Sequence, residues 1–585
     1  MKLHQQYLLL HSQYGSLESV ETTLDDMAER LDCTHRHATN IVRSMCQKSW
    51  IAWDSSRGRG RRSTLRFLVP PEEIAVQSMM QAINRKDITR AISQIRAHRK
   101  SSALQEHLQG WLLTYFGHHT ETHSDRQIDT LRIPIRQPLH TVDPLYMNLL
   151  AESFVSSNVF DGLARRTNQR DEILPSIAHA WEVNDNRTRW TFFLRKEVLF
   201  HNGKMMTADD VVYTFERLIR SSHRTLYSFI YKQIKSVRAL NQMTVCFELE
   251  EPNELFLPFL CTSRAAIIPK DLNQLGSRSF GRSPVGTGPF KVVEMDEGGC
   301  LLEVFTPHFQ GRAHLDRVEI VHVPWSTESG GSSEQHSPFH VIPNLAAAEE
   351  AWSHIHSDTT VRKFITCNTK KAGPLTDPAV RAHLFNCLLG QRRPVEDSPD
   401  IDNSPFDSRP SDCLPSDIPS YASSHPIPLQ IATIPPYRAD ADSLADILGR
   451  CGYSCKVVTV SPEEFKGDIR LESDIILFSL FRDQDEQLRL FDLYLTIAEH
   501  VDSHTRIDIE QALQHIIREP SPSIRGRYLN QIEQILQKEH QLFILSEKPL
   551  PTAYLPSVRG VTFNSQGWVN LRTIWFPPAI GAFYS

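Results

Sequence analysis

Four polar residues, Arg36, Thr39, Asn40 and Arg43, recur at i, i+3, i+4 and i+7. That spacing places them on one face of a helix. Arginine can pair with guanine and asparagine with adenine in a major groove, so such a stripe suits the reading of base edges. A little further on, SSRGRGRRS gathers Arg57, Arg59, Arg61 and Arg62 around Gly58 and Gly60. Guanidinium groups crowded at a tight glycine turn suit phosphate or a narrow minor groove. A charged helix face is more often only a solvated surface, so charge balance has to decide. From Arg30 to Arg66 nine basic residues stand against Asp32 and Asp54, a net charge of +7, in a chain whose total is −6. A basic island in an otherwise acidic chain points to a polyanion at that island alone. GRGRR is not a phosphate-cradling loop of the G-x-x-x-x-G-K-[ST] kind, because it lacks that spacing and a following helix.

The elements that would hold these residues can be read from apolar spacing. Leu24, Met27, Ala28 and Leu31 mark one helix face, with Thr22 or Thr23 placed to cap it and Asp25 and Asp26 in its first turn. After a break at Asp32–Thr34, Ala38, Ile41, Val42 and Met45 mark the buried face of a second helix, opposite the polar stripe. Trp50, Ile51 and Trp53 lie in one arm of a hairpin, and Leu65, Phe67 and Val69 alternate in the other. Two short helices followed by an Arg-tipped hairpin spell a winged helix-turn-helix. A helical pattern through Ile83, Ile88, Ile92 and Ile95 follows it, so we expect this unit, with its trailing helices, to span residues 1–117. The polar stretch 118–129 reads as a linker. Its His118, His119 and His123 have no Cys or carboxylate cage beside them, so no metal is expected.

From Thr130 the texture changes. TLRIPI, WTFFLR, MTVCFELE, FKVVEM, RVEIVHV, RKFITCN, LQIATI, CKVVTV and DIILFSL are strand-like, and TADDVVYTFERLI and TDPAVRAHLFNCLL between them are helical. We expect an α/β architecture of at least two lobes over 130–585. It carries a polar surface insert at about 392–428 and a second polar stretch from Ser326. The composition, 40% hydrophobic and 23% charged, excludes collagen-like, coiled-coil and wholly disordered classes. No apolar run is long enough to cross a membrane as a helix. The ten cysteines form no C-x-x-C pair, the closest being Cys451 and Cys455, and MKLHQQYLLLHSQYG lacks the apolar core of a signal peptide. Both features lead us to expect a cytoplasmic protein.

Several stretches resemble the family 5 extracellular solute-binding proteins. They are Ile173 to Leu218, with WTFFLRKEVLFHNGKMMTADDVVYTFERL; Ser283 to Glu294, with SPVGTGPFKVVE; KFITCNTKKAGPLTDPAVRAHLFNCLL; and GVTFNSQGWVNLRTIWF near the end. The resemblance implies a two-lobed, type II periplasmic-binding-protein-like fold that closes on a solute. Where peptide-binding members carry an acid that meets the peptide amine, this chain has FRDQDEQLRLFDL, without the expected Tyr-Pro. Asp483 or Asp485 could serve there, beside Arg482; the candidate ligand-binding residues are Arg482 and Asp483 in this loop and His140 after the first strand, with Arg482 suited to a phosphate or carboxylate.

A winged head on such a body resembles SgrR-type transcriptional regulators. That resemblance implies double-stranded promoter DNA and a small molecule, a sugar phosphate or a peptide, as partners, with RNA polymerase as a further candidate. No H-E-x-x-H, G-x-S-x-G or dinucleotide fingerprint occurs, so neither an enzyme nor a cofactor is expected. The alternatives are a DNA-binding protein with a ligand-free scaffold and an importer's peptide-binding protein.

Overall fold

The computed structural model describes residues 2–577 apart from 15–18, 56–61, 72, 75–76, 79–115, 124–125, 136, 167–171, 222–224, 275–276, 323–352, 391–427, 483–484, 555–557 and 564–568. The trailing-helix pattern up to residue 115 and both polar stretches of the body lie almost wholly outside the described residues. The chain divides into two compact units, with the main boundary between Gly117 and His118.

The first unit, the head, opens with a helix absent from the sequence expectations, α1 (Lys2–Tyr14). Helices α2 (Leu24–Arg30) and α3 (His35–Gln47) follow, with β1 (Val20–Thr22), β2 (Ile51–Asp54) and β3 (Ser63–Phe67) in a sheet of order β1-β3-β2. Thr23 caps α2 in a reciprocal box with Asp26. Asp32, at φ 47°, takes the left-handed conformation that turns the chain into α3. Antiparallel pairing sets Ile51 against Phe67 and Trp53 against Leu65, the expected hairpin. The core joins Tyr7 and Leu10 to Met27, Ile41, Val42, Met45, Trp50 and Leu65.

The second unit, the body, starts with a correction. Residues 118–129, expected to be a linker, belong largely to β4 (Gly117–His123) and β5 (Arg126–Ile135) of a five-stranded sheet. The polar composition misleads because β4 is an edge strand, where apolar alternation is not required. His118 there stacks on Phe576 at 3.5 Å and bonds Asp129 at 2.9 Å.

After α4 (Leu150–Val159) comes a ribbon of β6 (Ala164–Arg166) and β7 (Ile173–Pro175). The chain then makes a four-stranded sheet of β8 (Ala178–Val183), β9 (Arg189–Leu194), β10 (Ile234–Asn241) and β11 (Thr244–Leu249), in order β10-β11-β9-β8. The sheet is covered by α5 (Ala208–Arg220), whose first residues are held by Asp210 accepting from the Thr207 amide at 2.8 Å. Strands β12 (Phe290–Asp296), β13 (Gly299–Val304) and β14 (Arg317–His322) return to the first sheet, with β14 parallel to β5. The order there is β12-β13-β14-β5-β4.

The second lobe is a sheet of β15 (Ser353–Cys367), β16 (Leu429–Thr433), β17 (Cys455–Thr459), β18 (Ile475–Arg482) and β19 (Leu542–Tyr554), ordered β17-β16-β18-β15-β19. Packed with it are α6 (Pro378–Leu389), α7 (Arg438–Arg450), α8 (Glu486–Ala498), α9 (Ser503–Arg518) and α10 (Pro522–Lys538). Beyond β19 the chain goes back to the first lobe, where Val558, Val569, Leu571 and Ile574 join Ile133, Phe154 and Val318 in its core. The lobes are thus joined by two crossings of the chain. A separate apolar cluster runs from Trp190, Phe192 and Phe247 of the four-stranded sheet to Phe491, Tyr494, Ile509 and Leu529 of α8–α10.

Candidate functional site

In the head, α3 is a 13-residue helix capped by Thr34. It buries Ala38, Ile41, Val42 and Met45 and leaves Arg36, Thr39, Asn40 and Arg43 exposed, so the four polar residues share the outer face. The Thr39 hydroxyl donates to the His35 carbonyl at 2.9 Å, which leaves its oxygen as an acceptor toward solvent. His35 in turn is 2.6 Å from Asp25, tying the start of α3 to α2. Behind the helix, His4 packs on Trp50 at 4.7 Å, and the Tyr7 hydroxyl donates to the Val69 carbonyl. Burial, helped by the N-terminus and Lys48, pushes the His4 pKa down to about 4, so the ring is neutral near pH 7. Of the hairpin-tip arginines, Arg62 is exposed just before β3, while Arg57, Arg59 and Arg61 lie outside the described residues. Arg66 is held by Asp54 across the β2–β3 pair at 3.0 Å.

In the body, the GTGPF segment has a structural job. A Cβ at Gly286 would sit 2.0 Å from the Val159 carbonyl oxygen, and one at Gly288 would sit 2.5 Å from the Val159 carbonyl carbon. The two glycines therefore let the segment lie against the end of α4. Between them Thr287 donates to Asp161 at 3.2 Å, and His308 reaches the same Asp161 oxygen at 3.2 Å. His201, 3.0 Å from the Gly288 carbonyl, is partly buried, and its desolvation lowers its pKa to about 4.

The three candidate ligand residues fall in different places. His140 lies in the first lobe with its side chain exposed, 4.0 Å from Glu297, while its amide donates to the buried Glu152 at 3.1 Å. Arg482 ends β18 in the second lobe and is bonded to Glu486 and, at 2.8 Å, to Glu547. Burial works against its charge, but these two carboxylates outweigh it and hold its pKa above the ordinary arginine value. Asp483 lies outside the described residues.

A neighbour in the same stretch, Asp485, is 1% exposed and forms an ion pair at 3.2 Å with Arg166, itself 7% exposed, at the end of β6. Arg166 was not among the sequence candidates. The Arg165–Arg166 doublet held the signal, because successive strand residues face opposite sides and one of the two must turn inward. The nine described cysteines are all free thiols, and no group of three or more potential metal ligands occurs among the described residues.

Comparison with known proteins matches both halves. Residues 2–119 match the family model "Sugar transport-related sRNA regulator N-term", and residues 172–384 match "Bacterial extracellular solute-binding proteins, family 5 Middle". The chain is 27% identical to the uncharacterized protein YhjP of Bacillus subtilis, covering 98% of this chain and 100% of that one. It is 24% identical to the HTH-type transcriptional regulator SgrR of Pectobacterium atrosepticum, covering 99% of each. Among solved structures, the dipeptide binding protein of Pseudoalteromonas sp. SM9913 in complex with Met-Leu superposes with a TM-score of 0.60. That match is 16% identical and covers 77% of this chain and all of the other, which establishes the fold of the body. No described helix is long and apolar enough to cross a membrane. The chain thus carries a regulator-type N-terminal domain at residues 2–119 and a family 5 domain at 172–384, and over 99% of its length it is similar to an SgrR-type transcriptional regulator.

Proposed function

We propose that the head binds double-stranded promoter DNA with α3 in the major groove and the β2–β3 tip on phosphate or the minor groove. One observation carries this reading: α3 turns all four apolar residues inward and Arg36, Thr39, Asn40 and Arg43 outward. In this reading Asn40 and the two arginines of α3 read bases, and Arg57, Arg59, Arg61 and Arg62 neutralise phosphate. Such work belongs in the cytoplasm.

The body, in the same proposal, binds a solute between its lobes without turning it over, and ligand binding biases DNA affinity or contact with RNA polymerase. Two chain crossings between the lobes support a hinge. The ligand class is a sugar phosphate or a peptide, with His140, Arg482 and Asp483 as pocket residues. To take a phosphate, Arg482 must give up Glu486 or Glu547, so its use as an anion site requires a rearrangement at the end of β18.

The full chain, titrated with labelled promoter DNA across a salt series, should show affinity that falls steeply with salt. Salt-independent or absent binding would overturn the reading of the head. Sugar phosphates and short peptides should be screened for a raised unfolding midpoint, since a ligand of the folded form stabilises it by mass action. By linkage, operator DNA should change the affinity of any hit by the same factor that the hit changes DNA affinity. A second reading, a body retained only as scaffold, is favoured by the apolar cluster that joins the four-stranded sheet to α8–α10. It predicts that no solute raises the midpoint.

A further inference from the structure

Helix α3 runs on to Gln47, one turn past Arg43, and this lengthens its outer face. At 3.6 residues per turn, Arg36, Asn40, Arg43 and Gln47 fall on one line, directly opposite Ala38, Ile41, Val42 and Met45, with Thr39 at its margin. All four are exposed, and among the described residues none of their side chains has a hydrogen-bond or ion-pair partner. Polar groups beside the row are occupied. Thr39 and Ser44 donate their hydroxyl hydrogens to the carbonyls of His35 and Asn40 at 2.9 and 2.8 Å. His35 is held by Asp25 and Arg66 by Asp54, and the Lys48 ammonium lies over the Trp50 ring at 5.5 Å. A row of open donors and acceptors among such paired neighbours is a surface whose hydrogen bonds come from outside the head.

The chemistry of the row alternates: guanidinium, carboxamide, guanidinium, carboxamide. A guanidinium offers paired donors that fit O6 and N7 of guanine, and a carboxamide offers a donor and an acceptor that fit N6 and N7 of adenine. We propose that Gln47 is a further base-reading residue, and that α3 lies along the major groove over its full length, reading purines in the order guanine, adenine, guanine, adenine. This deepens the reading of the head as a DNA-binding unit and rests on it. Arg36 to Gln47 is about 16 Å of helix axis, which matches about five base-pair steps. A helix entering the groove end-on would bring only its first turns, with Arg36 and Asn40, to the bases.

The test is selection of bound duplexes from a pool with a randomised core, using the full-length protein and its variants. The wild type should enrich a motif in which two guanines and two adenines alternate along the groove. Full-length Gln47→Ala should keep the unfolding midpoint and both guanines, and should lose roughly 5–150-fold of discrimination for adenine at one end of the motif. Asn40→Ala should relax the inner adenine instead, and Arg36→Ala the guanine at the opposite end. Gln47→Glu can only accept, so it should exchange the end adenine for cytosine, whose N4 amino group donates.

An unchanged motif in Gln47→Ala would overturn the proposal and leave α3 entering end-on. A Gln47→Ala protein weakened equally toward every sequence would overturn it as well, because Gln47 would then touch phosphate. So would a Gln47-dependent base lying between those that depend on Arg36 and Asn40. Failure here and failure of the head as a DNA-binding unit look different. A wild type that binds the whole pool alike, with salt-sensitive affinity, would sink this assignment and leave a head that binds DNA. A wild type that binds no duplex at any salt concentration would sink both.

Discussion

The head and the body handle charge in opposite ways. Among its described residues the head buries no Asp, Glu, Lys or Arg, and its interior is Tyr7, Leu10, Met27, Ile41, Met45, Trp50 and Leu65. Its cations stand outside, on α3 and near the hairpin tip. The body buries Asp143, Glu152, Arg264, Lys363, Arg381, Arg470, Asp485 and Arg525. These it ties to its own chain: Arg217 grips Asp143 with two bonds of 2.8 and 2.6 Å, and Arg264 donates to the carbonyls of Leu145 and Met147. Exposed charge is available to a partner, whereas buried charge organises loops, because each group needs its complement close by. A charge count along the chain cannot tell the two uses apart, but burial can.

The contrast can be broken first in the body. Asp143 is fully buried, so Asp143→Ala leaves Arg217 enclosed without its carboxylate and should cost about 3–5 kcal/mol of stability. Urea unfolding should show this as an earlier midpoint, and an unchanged midpoint would mean that internal charge is not what holds these loops.

Next in size is a pH effect in the head, where the one buried imidazole among the described residues is His4. Its folded pKa of about 4 lies below the unfolded value of about 6.5, so the unfolded chain takes up the proton first. The contribution is complete above pH 6.5 and is lost as pH falls from there toward 4, with an upper bound of about 3 kcal/mol. Thermal melts of His4→Phe should lack this acid limb, and identical limbs in both proteins would refute the assignment.

On the exposed side, Asn40→Ala should cost on the order of 1–3 kcal/mol in DNA affinity and relax choice at one or two base pairs, with stability unchanged. Binding to a set of single-base operator variants would show it. Smallest, Arg59→Ala and Arg61→Ala should each weaken binding to every sequence alike and reduce the salt slope by roughly one phosphate contact. A loss confined to one sequence would turn the wing from an electrostatic arm into a reader of bases.

The legibility of the fold follows the same division. Helices α2 and α3 could be read because an apolar stripe on a local helix needs only local spacing, and the nine strand-like runs of the body all lie in or overlap strands of the structure. Helix α1 carries helical spacing at Leu3, Tyr7, Leu10 and Tyr14, a signal that the leader-like look of an N-terminal leucine run hides. Strand β4 was invisible because nothing in GHHTETH alternates, and its place is set by a sheet whose β5 pairs with β14 far along the chain. The pairing of Arg166 with Asp485 is the same kind of fact. Each residue looks ordinary in its own stretch, and only the tertiary fold brings them together.

The return of the chain to the first lobe after β19 also fixes an order of events during synthesis. That lobe cannot close its core until Val569, Leu571 and Ile574 have been made, and Phe576 reaches the ring of His118 only then. The described core of the head is drawn from residues between Tyr7 and Ile74. At about 5–20 residues per second it precedes a finished body by roughly 20–90 s. For that interval a ribosome-bound chain carries a head whose described core is made, with no finished first lobe behind it, so under the proposed function any DNA binding by a nascent chain would precede control by a solute.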